Sequence, residues 1–171
     1  IRDSLSSRWV TPPQKIEMEA MSRLANHPFS IPGLSDGGAH MKFLTAAIYP
    51  TYFLGTLCRD NNVMSLEKAH WKLSAYPAQV AGIRDRGHLT EGFGADIVIY
   101  DLDELDYGPM ERLQDFPADD WRLVQRPKGY KYIIVNGVVT FTDDSQCTGE
   151  TPGRFLSCLL YTSDAADDKC S

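Results

Sequence analysis

The segment GLSDGGAH, residues 33–40, holds the side chains best suited to chemistry. Asp36 is followed directly by Gly37 and Gly38, and His40 lies four residues after it. A carboxylate at the end of a parallel strand, followed by glycines that let backbone approach a ligand, occupies a position where barrel enzymes place catalytic groups. It could bind a cation, take a proton from bound water, or do both. On spacing alone the same residues also fit a turn or a helix N-cap, with His40 as a polar loop residue.

Other reaction types find less support in the sequence. Ser35 does not stand in a G-x-S-x-G elbow, and no His–Asp pair is evident to activate it. The glycines around it lack the spacing and the lysine of a phosphate-binding loop. Arg122 and Arg126 could bind a substrate carboxylate or simply remain solvated. There is no H-x-H pair among the four histidines, which are His27, His40, His70 and His88.

Helical patterns flank the candidate segment. A helix is predicted from Pro12 to Asn26, and His27-Pro28 ends it because the residue before proline avoids helical dihedrals. Phe29–Ser35 is then predicted to be an extended run leading to Asp36.

Two further helical regions follow Asp36. The first covers Met41–Arg59 with a restart at Pro50. Ser65 is predicted to be the N-cap of the second, which restarts at Pro77 and ends near Ala81.

From residue 82 onward the pattern favours β-structure. Asp96–Asp101 is rich in branched residues and predicts a strand. Residues 102–130 are rich in acidic and aromatic side chains and are predicted to be a long excursion between the two strand regions. Lys131–Val135 and Val138–Thr142 flank Asn136-Gly137, the preferred dipeptide of a two-residue hairpin turn. An α/β layer followed by a β unit predicts two structural parts.

Composition excludes several classes of protein. The chain has 171 residues with 17 Lys+Arg and 23 Asp+Glu, a net charge of −6, so a nucleic-acid or anionic-membrane partner is not expected. Its most apolar stretch, Met41–Cys58, contains Lys42 and Pro50 and is shorter than the roughly 20 residues that span a bilayer. None of the four cysteines forms a C-x-x-C pair, which favours a reducing, cytoplasmic setting.

The two ends of the sequence are read differently from its middle. Cys158–Ser171 resembles a translated sequencing adapter rather than a native C-terminus, so we exclude it from the fold and function predictions. The chain begins at Ile1 rather than at methionine, and we expect an N-terminal part of the protein to precede it.

Five segments in order resemble the C-terminal part of metal-dependent amidohydrolases, in the branch of N-acyl-D-amino-acid deacylases. These segments are GLSDGGAH, SLEKAHWKLSAYPAQVAGI, DRGHLTEGFGADIVIYD, YKYIIVNGVVTFTDD and TGETPGRFL. The resemblance implies an α/β fold comprising the last portion of a (β/α)8 barrel and the C-terminal part of a small β-sandwich. Residues 1–81 would close the barrel with Phe29–Ser35 as strand eight, and residues 82–157 would belong to the sandwich.

The resemblance also implies a mechanism. One or two zinc ions would activate a water that attacks the amide of an N-acyl amino acid, a small-molecule substrate. Asp36 would be both metal ligand and catalytic base, while Gly37, Gly38 and His40 would contact substrate. The remaining metal ligands would precede Ile1, so the chain alone is expected to be inactive.

Two alternatives stay open. A cyclic-amide hydrolase of the hydantoinase or dihydroorotase type would carry similar C-terminal segments. A non-catalytic β-rich module with a helical appendage would instead fold cooperatively over Ile1–Leu156 on its own.

Overall fold

The computed structural model describes residues 17–33, 35–43, 45–143 and 146–156. Helices occupy the first part of this range and strands the second, which confirms a mixed α/β chain. The predicted helix start at Pro12, the first nine residues of the chain and the segment Cys158–Ser171 lie outside the described residues.

In the part of the chain that the structure describes, three short α-helices follow α1. In order the helices are α1 (Met18–Asn26), α2 (Tyr49–Tyr52), α3 (Leu66–His70) and α4 (Tyr76–Val80). A 3-10 turn at Ala46–Ile48 leads into α2, and wider π-helical segments at Phe53–Asp60 and Trp71–Ala75 extend α2 and α3. Pro50 lies in the first turn of α2, where a missing N–H costs nothing, as the predicted restart requires. At Pro77 the chain does not restart, because Ala75 and Tyr76 keep helical dihedrals and Leu66–Val80 continues through it.

Local sequence signals set the helix ends. The backbone at His27 turns to extended dihedrals immediately before Pro28, so α1 ends where predicted. The Ser65 side chain accepts a hydrogen bond from the Lys68 N–H and caps α3.

The core lies where the helices meet the loop after β1. Leu105 is 0% exposed and packs with residues from the helical half of the chain. The other buried members of this cluster are Phe53, Leu54, Leu57, Cys58, Met64 and Ala69.

Within the described residues, seven strands form three small antiparallel sheets. In chain order they are β1 (Ile97–Tyr100), β2 (Asp106–Tyr107), β3 (Glu111–Phe116), β4 (Asp120–Val124), β5 (Pro127–Lys128), β6 (Tyr130–Val135) and β7 (Val138–Phe141). The sheets have the orders β1-β6-β7, β2-β5 and β3-β4. Asn136 and Gly137 connect β6 to β7 with φ of 47° and 82°, which confirms the predicted hairpin and its turn.

The structure differs from prediction in the segment before Asp36. Phe29–Ser35 was expected to form a strand, but its described residues make a turn at Pro28-Phe29 and then irregular chain. A strand requires a neighbour to complete its hydrogen-bond ladder, and no described segment pairs with this one. No helix within the described ranges is long and apolar enough to cross a membrane.

Candidate active site

Asp36 lies at the surface on a tight local turn. Its φ is +50°, a left-handed conformation that aspartate tolerates better than most residues. Its carbonyl accepts a hydrogen bond from the Ala39 N–H at 3.0 Å, and the Gly37 N–H donates to Ser35 Oγ at 3.1 Å. Within the described residues no ion pair occupies its carboxylate, which faces solvent and is free to meet a ligand.

The two glycines after Asp36 are required by different geometry. A Cβ at Gly37 would lie 2.9 Å from Ser35 Oγ and 3.3 Å from the Ala47 Cβ, so a side chain there would require both neighbours to shift. Gly38 has φ of +90°, which only glycine adopts without strain. His40 is exposed, and its carbonyl accepts a hydrogen bond from the Phe43 N–H at 2.8 Å.

Gly37 and Gly38 also form part of the wall of a cavity of about 570 Å³, whereas Asp36 and His40 are exposed beside it. Its apolar walls include Met41, Ile48, Val98, Leu123, Ile133 and Phe141. The polar groups of the wall bond to one another. Thr45 Oγ1 lies 2.7 Å from Gln125 Oε1, and Thr51 Oγ1 lies 2.9 Å from the Tyr130 hydroxyl.

The β3–β4 hairpin holds the chain immediately after the candidate loop. The Leu123 N–H donates to the Met41 carbonyl at 2.6 Å. Next to it, Lys42 Nζ donates to both carboxylate oxygens of Asp120, at 2.7 and 2.5 Å. The excursion of residues 102–130 is therefore a structured element that fixes one end of the segment carrying Asp36.

Because it depends on the Lys42–Asp120 ion pair, this contact should weaken in acid. The hydrogen bond from Lys42, followed by that from the Trp121 N–H, lowers the pKa of Asp120. The stabilisation is therefore present above the unfolded pKa near 3.8 and disappears as pH falls through the lower folded value. We expect Lys42→Met to lower the melting temperature at pH 7 and the difference from wild type to shrink progressively as pH falls below 3.8.

Asp120→Asn is the matched control, since it removes the titrating group: its melting difference from wild type should likewise be present at pH 7 and shrink in acid. A Lys42→Met effect that persisted unchanged into acid would show that the ion pair is not its source.

Of the two arginines considered from sequence as carboxylate binders, Arg122 is already engaged in an ion pair. Arg122 Nε and Nη2 donate to the Asp115 carboxylate at 2.9 and 2.7 Å, across the β3–β4 hairpin. This bidentate bond raises the pKa of Arg122 and lowers that of Asp115. The sequence left open whether Arg122 binds a substrate carboxylate or remains solvated, and this ion pair does not favour substrate binding.

Comparison of the sequence with models of known protein families assigns the chain to one of them. The model of the amidohydrolase family matches residues 2–141. The chain belongs to the amidohydrolase family. Curated relatives of this amidohydrolase come from Alcaligenes xylosoxydans xylosoxydans. An N-acyl-D-glutamate deacylase is 33% identical over 107 residues, which are 62% of this chain and 20% of the relative.

Two further relatives from the same organism align over longer stretches. A D-aminoacylase is 29% identical over 126 residues, 72% of this chain and 24% of the relative. An N-acyl-D-aspartate deacylase is 29% identical over 140 residues, 80% of this chain and 26% of the relative. The amidohydrolase chain therefore spans between a fifth and about a quarter of the length of these relatives.

Solved D-aminoacylase structures also resemble the chain. One is 25% identical with a TM-score of 0.46, covering 59% of this chain and 19% of the other. A second, which has a binuclear metal centre, is 27% identical with a TM-score of 0.44 over the same shares.

Asp36 is the residue of the candidate loop whose side chain has the chemistry of a metal ligand. The Asp36 carboxylate is a suitable ligand for zinc or a harder cation. Within the part of the chain that the structure describes, however, no three His, Cys, Asp or Glu side chains come together as a metal site would require. The histidines are dispersed: His70 Nε2 lies 2.6 Å from the Tyr100 hydroxyl, and His88 packs edge-on against Phe93. The described residues therefore fit one ligand position of a metal and not a complete set.

Sequence reasoning placed the candidate loop but missed what surrounds it. The structure brings Gly37 and Gly38 together with residues of β4, and it leaves Asp36 and His40 at the surface. The β3–β4 hairpin has a recognisable signal, two β-prone runs separated by Pro117-Ala118-Asp119. The contact between Lys42 and Asp120 has no such signal, since 78 residues separate them.

Proposed function

We propose that this chain contributes the base of an active site that hydrolyses the amide bond of N-acyl-D-amino acids. The observation that carries the proposal is the Asp36 carboxylate, held exposed on a left-handed turn and followed by two glycines in a chain matched to the amidohydrolase family. Three deacylases of N-acyl-D-amino acids among the relatives support this substrate class.

In the proposed reaction Asp36 moves one proton. It accepts the proton of the attacking water as the water oxygen bonds to the amide carbon. It then delivers that proton to the nitrogen as the C–N bond breaks, so that a carboxylic acid and a free amine leave. A metal ion, when bound, supplies a water whose pKa is lowered to about 7.

We propose zinc, as one or two ions, for the metal, with Asp36 as one of its ligands. Carboxylate oxygen is a common zinc ligand, and the exposed Asp36 carboxylate would be one donor of a site that needs further ligands. Gly37, Gly38 and His40 are proposed to contact the small-molecule substrate, because the first two open onto the cavity and the third lies beside Asp36.

The proposed fold of the intact protein follows from the same assignment. Phe29–Ser35 would pair as the eighth strand of a (β/α)8 barrel once neighbouring strands supply a hydrogen-bond ladder. Asp36 would then lie at the carboxyl end of that strand, on the face where barrel enzymes carry their active sites. Residues 1–81 would close the barrel and residues 82–157 would complete a β-sandwich.

A substrate panel tests the proposal. The intact protein, loaded with zinc, should hydrolyse N-acetyl-D-amino acids with kcat/KM at least about tenfold above that for the L-enantiomers. The 171-residue chain alone should give no hydrolysis above a zinc-only background, since it supplies one described ligand position.

Hydantoin and dihydroorotate are included in the same panel as cyclic amides. Preferential turnover of either one would replace the deacylase assignment with that of a cyclic-amide hydrolase. No turnover of any amide by the zinc-loaded intact protein would contradict a hydrolytic function altogether.

A further inference from the structure

Lys72 is a buried charge that the proposed chemistry does not use. It lies in the segment Trp71–Ala75, and only 1% of its surface is exposed. Lysine is rarely buried, because removing an ammonium group from water is costly unless its donors are satisfied. A side chain kept in this position at such a cost requires an explanation.

The surroundings of Lys72 satisfy it completely. Its Nζ donates to the His27 carbonyl at 2.5 Å, the Ser30 carbonyl at 2.7 Å and Ser30 Oγ at 3.0 Å. An ammonium group has three N–H donors, so each meets one oxygen. Burial, with a smaller contribution from nearby Lys68, lowers the pKa of Lys72. The three acceptors oppose that shift because they favour the charged form.

The three oxygens that Lys72 contacts lie where α1 ends and the run that leads to Asp36 begins. His27 is the C-cap of α1, where helix carbonyls are unpaired and a cation is favoured. Ser30 Oγ also donates to the Leu24 carbonyl at 2.6 Å. Lys72 therefore joins the end of α1 to the start of the run that leads to Asp36.

Between Ser30 and Met41 the described chain has few other restraints. Its backbone hydrogen bonds are local, such as those from the Ala39 and His40 N–H groups to the Asp36 carbonyl. The next anchor is the bond between the Met41 carbonyl and the Leu123 N–H. Asp36 is thus carried on a segment fixed at Ser30 by Lys72 and at Met41 by β4.

We propose that Lys72 is a positioning residue for Asp36. Its ammonium group holds the chain at His27 and Ser30 and thereby sets where the Asp36 carboxylate stands. This role rests on the proposed function, since it assigns Lys72 to the same site. A neutral side chain of similar length would leave the Ser30 carbonyl and hydroxyl without the ammonium donor and the His27 carbonyl with only its bonds from Ser30, and would loosen the segment.

The test compares two lysines of the same helix in the intact protein. Lys72→Met removes the buried ammonium and keeps an unbranched apolar side chain. Lys68→Met is the matched control, because Lys68 is exposed and, among the described residues, its ammonium group donates only to Asn26 Oδ1 at 2.7 Å. For Lys72→Met we expect kcat per folded molecule to fall between about 10- and 100-fold, with KM within about threefold, since small misplacements of a catalytic group have effects of this size. Lys68→Met should retain wild-type kcat.

Amide hydrogen exchange separates positioning from general loss of structure. In Lys72→Met, exchange should rise about tenfold over residues 27–40 and stay unchanged over the helices from Leu66 to Val80. Ser30→Ala, which removes one acceptor and keeps the lysine, should give a smaller change in the same direction. It provides the readout if Lys72→Met does not fold.

Three results would overturn the inference. They are wild-type kcat in Lys72→Met, unchanged exchange over residues 27–40, and an increase spread equally through the helices. Asp36→Asn is assayed in parallel to separate this inference from the proposed function. If Asp36→Asn is active, the proposed function fails; if it is inactive while Lys72→Met behaves as wild type, only the positioning role fails.

Discussion

Replacing Asp36 with asparagine in the intact amidohydrolase is expected to lower kcat/KM by about 10³-fold or more. Loss of a general acid–base group costs 10²- to 10⁴-fold, and Asp36 is proposed to serve as both base and acid in one turnover. Asparagine keeps the shape of the side chain but neither accepts the proton of water nor delivers it to the leaving amine. The measurement is steady-state hydrolysis of an N-acetyl-D-amino acid by zinc-loaded protein.

Asparagine is the informative replacement because of the backbone at this position. Asp36 has φ of +50°, and asparagine shares the tolerance of aspartate for that region, whereas alanine would add strain. Folding should therefore be preserved, and the loss should be chemical. Asp85→Asn, another exposed aspartate in the loop after α4, is the control and should keep full activity.

Two outcomes would count against the assignment. Activity of Asp36→Asn within about tenfold of wild type would remove the carboxylate from the proton transfers. A large loss in Asp85→Asn as well would point to a general effect of charge on the protein rather than to a single base.

Local signals in the sequence predicted the parts of the fold that are locally determined. Asn136-Gly137 specifies its turn because both residues must adopt positive φ, and the structure has this geometry. Ser65 caps α3 through a bond to the Lys68 N–H, only three residues away. His27-Pro28 ends α1 through a steric conflict within one dipeptide.

Features that depend on distant residues were not predictable in this way. Phe29–Ser35 has a strand-like sequence, but whether it forms a strand depends on neighbours that no local pattern supplies. Lys72 reads as an exposed residue by its type, and its burial follows from oxygens 42 to 45 residues earlier in the chain. The candidate site shows the same division, since Asp36 and its glycines were evident from sequence while the anchors on either side of them were not.

Gly129 is the position where a small substitution should be most damaging to the fold. It lies between β5 and β6 with φ of +84°, and its carbonyl accepts a hydrogen bond from the Asp101 N–H at 2.8 Å. A Cβ at this position would lie 2.7 Å from the Leu105 N and 2.8 Å from its Cα. These are backbone atoms that cannot rotate aside, and Leu105 is at the centre of the core. The glycine is therefore required by both its dihedrals and its surroundings.

Gly129→Ala should lower the free energy of unfolding by about 3 kcal/mol or more, the sum of left-handed strain and overpacking against the core. Gly92→Ala provides a matched control, because Gly92 has a nearly identical φ of +86° and no atom within 4 Å of the added Cβ. It should lose only the strain component, about 1 kcal/mol. Urea unfolding of the two variants in the intact protein measures the difference, which isolates the close approach of Gly129 to Leu105. Equal losses would mean that the dihedral alone sets the cost and that the chain from Glu104 to Leu105 can move away without disturbing the core.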